Sequence, residues 1–545
     1  MTVAGLFIFY FPPALAASGP IFEEKIHLTA LHRMSAGDVP YRDFEFLYGP
    51  LMLYPAHWWM ELTGHSLQGF HWYILVMEII VLLAILVPLQ KYAKGRWHLL
   101  FAFVIVASLY FNPMLGPNQN GLRRLAGVLI LIHLAANPFE PRYWIIRGAA
   151  LGLLLSYSQE FGGATAIAIT AIYGTLYAKQ RDITAVRALV ITGAVSALTW
   201  LVTVAILLGP NTLTYFHELA ALTRQFNAGE AAFKFYWTLN SLSVFAIVAL
   251  AAVAVGMIVS RKWTDGPSQS DLMMIGGLAY AAFILKSGLS RTDQWHLVPA
   301  IAPLLFTFLL FPRGHLFQLP RPARIAGVAL TVLVAATFTY GNLPVTKFIV
   351  KDSVLRGYGT LLSGDTGVVD AELQPAYPAT VYRSRRESAP PLIELSQFLA
   401  SEEMRGRRVF PYNGAWHYAM RIGVLKAGHL TDNFIYGDAR GHAEQEMLES
   451  NADVLVMMFR RDYDWLLLGP DAAPRAVLEG GLNGTGWERY SRTLLSSPHF
   501  SPANSEYDFS ERRWRRLVGN YVIENYEPVF LSAQYAVLER KSVQD

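Results

Sequence analysis

The sequence predicts a polytopic α-helical membrane protein, with about eleven transmembrane helices and a soluble C-terminal α/β domain. Three observations predict it. The 545-residue chain is 53% hydrophobic and only 16% charged, against roughly 25% charged residues in soluble domains. The apolar excess is confined to residues 1–343, in runs near the ~20 residues that a bilayer helix needs. Residues 344–545 have the mixed composition of an ordinary soluble domain.

In chain order, the expected spans are 2–18, 69–89, 97–112, 122–137, 144–158, 161–178, 187–209, 240–260, 271–287, 296–312 and 324–343. Ala14-Leu15-Ala16 resembles a signal-peptide cleavage site, but no Lys or Arg precedes Lys25. The basic leader of a secretory signal is therefore missing, and the first span is expected to stay as a helix.

Alternate connections carry the Lys/Arg excess: Lys91/Lys94/Arg96, Arg142/Arg147, Lys179/Arg181/Arg187, Arg261/Lys262 and Arg313/Arg321/Arg324. The positive-inside rule places these in the cytoplasm. The other face then holds 19–68, 112–121, 159–160, 210–239, 288–295 and the C-terminal domain. It collects most polar residues without a topological excuse, among them Arg123-Arg124, Gln159-Glu160, Lys286 and Arg291 to His296. Trp58-Trp59 and Trp72-Tyr73 read as an interfacial aromatic belt.

The first loop, 19–68, is the densest in groups that can do chemistry. It holds Glu23, Glu24, His27, His32, Arg33, Asp38, Arg42, Asp43 and Glu45. Ile26, Ala30 and Met34 recur at helical spacing, so 23–36 is expected as an amphipathic helix lying in the interface. Gly37-Asp38-Val39-Pro40 stops it. Tyr41 to Tyr48 returns irregularly, and Gly49-Pro50 opens the next embedded piece.

In the C-terminal domain, 408–412 and 453–459 read as short buried strands, 389–404 and 443–450 as helices, and 521–526 and 534–540 as late strands. Alternation of helix and strand predicts a small α/β layer. It contains no P-loop and no glycine-rich dinucleotide fingerprint. A net charge of +4 is too small to argue for nucleic acid, and zero cysteines exclude disulfides, thiolate catalysis and Cys-bound metals.

Glu23-Glu24, then Gly37-Asp38-Val39-Pro40-Tyr41-Arg42-Asp43-Phe44 and Tyr48-Gly49-Pro50-Leu51, resemble the first outer loop of GT-C-type membrane glycosyltransferases. These include the protein mannosyltransferases and the lipid A aminoarabinose transferases. Arg291-Thr292-Asp293-Gln294-Trp295-His296-Leu297 resembles the family's turn before a late helix, and 520–541 resembles its outer-domain ending. The family usually has Asp where Glu23 stands.

The resemblance implies a GT-C-like transmembrane domain, 1–343, with the site on loop 19–68, and an extracytoplasmic domain, 344–545. It implies a multi-pass protein of the cell inner (plasma) membrane. Its partners would be a lipid-linked sugar donor, a glycan, lipid or protein acceptor, and membrane lipids. Inverting transfer needs a base for the acceptor's proton and a cation for the departing lipid phosphate. Glu23 or Glu24 is expected as the base, with Asp43 as a further catalytic carboxylate. Arg42, Lys286 and Arg291 are the phosphate candidates, and Tyr41, Tyr48, Glu160, Asp293 and His296 the other substrate contacts. A divalent metal ion is conceivable, although the histidines match no strong ligand spacing.

Structural readings stand beside these. Glu23/Glu24 would complement a helix dipole, Asp43 would staple a turn beside Arg42, Asp293 would cap a helix, and Arg123/Arg124 would anchor at the interface. Two other functions are also open. A transporter or flippase of lipid-linked saccharides would place ionisable groups mid-span; Glu78, His133 and Lys286 lie within or at the ends of apolar spans, but the charges lie mainly in loops and no inverted repeat is evident. A non-catalytic scaffold would use the C-terminal domain alone.

Overall fold

The computed structural model describes residues 24–64, 67–110, 120–227, 239–260, 266–291, 294–311, 325, 394–411, 438–458 and 521–541, less 396, 523 and 532–534. The expected span 2–18 and, apart from Ile325, the span 324–343 lie outside them; of the expected helix 389–404, residues 394, 395 and 397–399 are helical and Glu402–Met404 is a 3₁₀ turn.

The N-terminal half is helical. Glu24–Ser35 (α1) and Pro50–Leu62 (α2) precede Leu67–Tyr92 (α3), Arg96–Tyr110 (α4), Gly121–Ala136 (α5), Pro141–Tyr157 (α6), Gln159–Gln180 (α7) and Ile183–Leu208 (α8). The α8 helix runs through a short 3₁₀ turn into Thr212–Asn227 (α9), which precedes Leu239–Ser260 (α10) and Gln269–Arg291 (α11). The expected spans from 69–89 to 271–287 each coincide with one of these helices. Three helical runs among the described residues, Trp72–Tyr92, Gln159–Gln180 and Ile183–Gln225, are long and apolar enough to cross a membrane. The α4 to α6 helices, at 15, 16 and 17 residues, are at or below the short end for a span. Large apolar side chains stand exposed on α3 (Ile80, Leu83, Val87) and α8 (Val190, Leu198, Leu201, Ile206). Water-facing surfaces rarely carry such continuous apolar faces.

Two expectations are corrected. The span 296–312 is two short helices, Gln294–Ala300 (α12) and Ala302–Leu310 (α13). Pro299 and Pro303 have no N–H to give the helical ladder, and the break at Ile301 falls between them. The stretch 210–239, expected as a long loop, contains α9, whose Tyr215 and Leu222 are buried.

Helix packing in the bundle depends on small residues. Gly148 and Gly152, one turn apart on α6, face α8. A Cβ at Gly148 would come 2.7 Å from the Thr192 carbonyl oxygen, and one at Gly152 2.5 Å from that of Ser196. In a lipid solvent, close backbone approach replaces the hydrophobic drive that joins helices in water. One core cluster, including Leu82, Ile85, Leu131, Ile172 and Phe306, joins α3, α5, α7 and α13. A second joins the first loop to the bundle through Leu31, Phe44, Phe46, Leu53, Phe70, Tyr157 and Tyr215.

The C-terminal described residues build a four-stranded sheet from Val409–Pro411 (β1), Val454–Met458 (β2), Tyr526–Leu531 (β3) and Tyr535–Arg540 (β4), in the order β1-β2-β4-β3. The β1–β2 pair is parallel, with Val409 opposite Val454; β2–β4 and β3–β4 are antiparallel, with a bulge between Pro528 and Phe530. A parallel pair needs a crossover, and Asp438–Asn451 (α14) lies in it. The expected strand 521–526 is corrected: 521, 522, 524 and 525 are helical, and the strand begins at Tyr526. Glu524 and Asn525 are poor strand formers, and the Asn525 side-chain amide donates to the Tyr521 carbonyl, a one-turn contact.

Candidate functional site

The first loop folds as a helix followed by a pinned return. Gly37, at φ +97°, ends α1 in a conformation that favours glycine. Arg33 then holds the return from beneath. Its Nε meets Asp38 Oδ2 at 2.6 Å, its Nη2 donates to the Asp43 carbonyl at 2.9 Å, and its guanidinium lies 4.8 Å over the Phe44 ring. Tyr41 sits at φ +67°, a backbone region that costs an aromatic residue about 1–3 kcal/mol. Three contacts offset that cost: its amide donates to the Phe44 carbonyl, its hydroxyl donates to the Tyr48 carbonyl, and its buried ring meets Tyr215 of α9 edge-on at 4.9 Å.

Arg42 and Asp43 bond to each other. Arg42 Nη2 lies 2.6 Å from Asp43 Oδ2, and Nε lies 2.9 Å from Oδ1. Asp43 Oδ2 also accepts the Val39 amide at 2.7 Å. The Arg42 hydrogen bonds, aided by the Val39 amide, hold the Asp43 carboxyl below its usual range. A carboxylate so occupied staples the turn and is a poor proton acceptor.

A second group of residues lies where the loop meets the bundle, centred on Arg123 near the start of α5. Asn120 caps α5, accepting the Arg123 amide at 2.8 Å and donating to the Tyr157 hydroxyl. Glu78 of α3 accepts the Gly121 amide at 2.9 Å. Arg124 is fully buried and acts electrostatically on Glu78. The Arg123 guanidinium is clamped between two rings, 4.6 Å from the Tyr48 centroid and 4.8 Å from that of Phe161. Its Nη2 meets Glu160 Oε2 at 2.9 Å, and its Nε donates to Ser158 Oγ at 3.2 Å. The Arg123 side chain is 9% exposed and that of Glu160 33%, so the pair opens on the Glu160 side. Gln159 Nε2 and Trp200 Nε1 both donate to the Tyr215 hydroxyl.

Gly49 ties the two groups together. Its amide donates to the Tyr157 carbonyl at 3.2 Å, and a Cβ there would overlap the Ser156 carbonyl. Pro50 then starts α2, where a missing N–H costs nothing. His27 completes the loop's interior. Its ring is buried against Phe46 and Tyr48, its Nε2 lies 3.2 Å from Met52 Sδ, and Nδ1 has no hydrogen-bond partner among the described residues. Burial, with Arg123 nearby, pushes the His27 pKa down to about 3, so the ring is neutral.

The structure thus brings Tyr41, Tyr48 and Glu160 into one neighbourhood and pairs Arg42 with Asp43. Glu23 and Asp293 lie outside the described residues. Glu24 is the first residue of α1 and Arg291 the last of α11; His296 lies in α12 and Lys286 is exposed on α11. Among the described residues, no group of three or more His, Cys, Asp or Glu side chains could hold a metal ion.

The sequence reading treated Arg123 and Arg124 as interfacial anchors and so missed their role in the cluster. A signal was present: two arginines follow a helix start at Asn120-Gly121, where the dipole disfavours cations. Such a placement calls for a nearby anion, which Glu160 supplies at 2.9 Å from Arg123 Nη2.

No protein-family model matches the chain, and no curated protein matches it. Among solved structures, the chain is similar to the crystal structure of the Archaeoglobus fulgidus oligosaccharyltransferase tethered by a disulfide bond to an acceptor peptide containing the NVT sequon. That likeness has a TM-score of 0.47 and 9% identity, over 99% of this chain and 74% of that one. The archaeal oligosaccharyltransferase AglB of the same organism, in complex with an inhibitory peptide and a dolichol-phosphate, is similar at a TM-score of 0.36 and 12% identity, over 94% of this chain and 75% of that one.

Proposed function

We propose that the chain is an integral-membrane glycosyltransferase of the GT-C type. It moves a sugar from a polyprenyl-phosphate carrier to a glycan, lipid or protein acceptor on the outer side of the plasma membrane. The observation that carries this reading is the Arg123 cluster: a nearly buried cation, oriented by Ser158 and Glu160, set between aromatic rings beside the first loop. A planar guanidinium suits an oxyanion leaving group. Being held in place beforehand, it needs little reorganisation when charge develops on the departing phosphate.

In the proposed step, a first-loop carboxylate, Glu23 or Glu24, takes the acceptor's proton. The acceptor atom bonds to the sugar's anomeric carbon. The carbon–oxygen bond to the lipid phosphate breaks, and the phosphate leaves with the electron pair. Arg123 is added to Arg42, Lys286 and Arg291 as a phosphate cation. Arg42 and Arg123 each already pair with a carboxylate, Asp43 and Glu160, so a phosphate at either would share the cation with it. Tyr48 offers a ring face for a sugar or lipid contact.

The test is transfer from polyprenyl-phosphate-linked sugars by protein in nanodiscs, wild type beside Arg123→Gln and Arg123→Lys. Losing one charge-assisted contact in the transition state predicts about a 10- to 10²-fold loss of kcat for Arg123→Gln. Lysine is expected to restore part of it. Equal turnover in all three removes Arg123 from the chemistry.

One observation favours the second reading, a flippase for lipid-linked saccharides. Glu78 is a buried acid well inside α3, and an ionisable group there marks a pathway as readily as a fold element. Proteoliposomes carrying Glu78→Gln separate the readings: loss of lipid-linked sugar flipping with no transfer activity in wild type would favour the flippase.

A further inference from the structure

At the end of the bundle opposite Arg123, another guanidinium is buried with no carboxylate bonded to it among the described residues. Arg147 of α6 is 2% exposed. Its Nε donates to the Tyr143 carbonyl at 2.9 Å, one turn back, so the side chain reaches toward the start of α6. Its Nη1 and Nη2 have no hydrogen-bond partner among the described residues. The side chain is not bound to any carboxylate there.

Other donors gather at the same end. Lys91 and Arg147 both act on His133 of α5. The His133 ring meets Tyr143 edge-on at 4.5 Å, and the Arg142 guanidinium lies 4.6 Å from the Tyr143 ring centroid. Tyr173 of α7 interacts with Arg147 and anchors its own hydroxyl on the Pro138 carbonyl. The nearby acid, Glu140, is exposed and bound to Arg142 Nε at 3.0 Å.

Arginine stays protonated in proteins and presents its donors as a fork. A buried fork with two unused nitrogens is costly unless an anion completes it. Water would satisfy the donors and leave the charge unbalanced. The end of the bundle lies where a membrane supplies oxyanions at high local concentration, as lipid phosphates. We propose that Arg147, at the end of the bundle that also carries Arg142 and Lys91, binds the phosphate of an anionic phospholipid headgroup on the side opposite the candidate active site. The proposal does not depend on the transferase reading.

The experiment is native mass spectrometry of the full chain in detergent, titrated with phosphatidylglycerol and phosphatidylcholine of the same acyl chains. Wild type is expected to retain phosphatidylglycerol about tenfold better, the scale of one well-placed ionic contact. Arg147→Gln is expected to lose that preference, while Arg224→Gln, at an exposed arginine of α9, keeps it. Phosphatidylglycerol retention by Arg147→Gln equal to wild type would overturn the proposal. Should Arg147→Gln not fold, Arg147→Lys decides: it keeps the charge and gives up the fork, so a reduced preference supports the site and an unchanged one rejects it. Inorganic phosphate is added to lipid-depleted protein as a second arm. If it raises the melting temperature as much as phosphatidylglycerol does, the ligand is free phosphate and the lipid assignment fails.

Discussion

His27 is a titratable side chain held in one state. Its folded pKa lies near 3, depressed by burial and then by Arg123, against about 6.5 unfolded. The unfolded chain therefore binds more protons between those values, and stability falls as pH drops from about 6.5 toward 3. The loss is on the order of a few kcal/mol at the acid end. His27→Phe, close in size among Phe46 and Tyr48, is expected to flatten the dependence of melting temperature on pH between 7.5 and 5 in detergent. A slope unchanged from wild type would show that His27 is not the group responsible. Asp43 acts lower on the scale. Its carboxyl is held below the usual range by Arg42, so its contribution is present above about pH 3.9 and is lost as pH falls through the folded value. Asp43→Asn is expected to lower the melting temperature at neutral pH, because it gives up the charge that Arg42 and the Val39 amide bind. The turn-stapling role was legible in the sequence, since Arg42 and Asp43 are adjacent. The clamp on Arg123 was not, because Tyr48 and Glu160 reach it from separate elements.

The helical elements were read well wherever an apolar run met a clear stop. Their starts were read late: α6 begins at Pro141 and α8 after the Asp182 cap, three and four residues before the expected 144 and 187. Misreadings came where a local rule outranked hydropathy: paired prolines divided 296–312, and polar Glu524-Asn525 delayed the strand to Tyr526. The α9 helix was hidden because its polar face made 212–227 look like a loop. The α6–α8 contact gives a prediction at this scale. Gly148→Leu or Gly152→Leu would drive side-chain atoms into the Thr192 or Ser196 carbonyl. Overpacking of this kind costs about 1–3 kcal/mol or more. A melting temperature in detergent well below wild type is the expected result. Gly174, with open space around its Cβ position, is the control: Gly174→Ala is expected to melt with wild type.

At the scale of the whole molecule, the alternation of basic connections predicts that the first loop and the Lys179–Arg187 turn face opposite sides of the membrane. The chain has no cysteine, so single replacements report topology directly. Ser35→Cys is expected to react with an impermeant maleimide on intact cells, and Arg181→Cys only after permeabilisation. The reverse pattern would invert the orientation. What the sequence could not show at this scale is which distant residues meet. Glu78 reaches the Gly121 amide across 43 positions, and Arg123 reaches Glu160 across 37. Such pairings depend on how helices stack, which no local pattern encodes. The central claim is that a first-loop carboxylate takes a proton during sugar transfer. It is tested most directly by turnover with polyprenyl-phosphate-linked sugars in nanodiscs, for wild type beside Glu23→Gln and Glu24→Gln. A loss of about 10²–10⁴-fold in one variant, with its melting unchanged, is the expected result. Equal turnover in all three would contradict the claim.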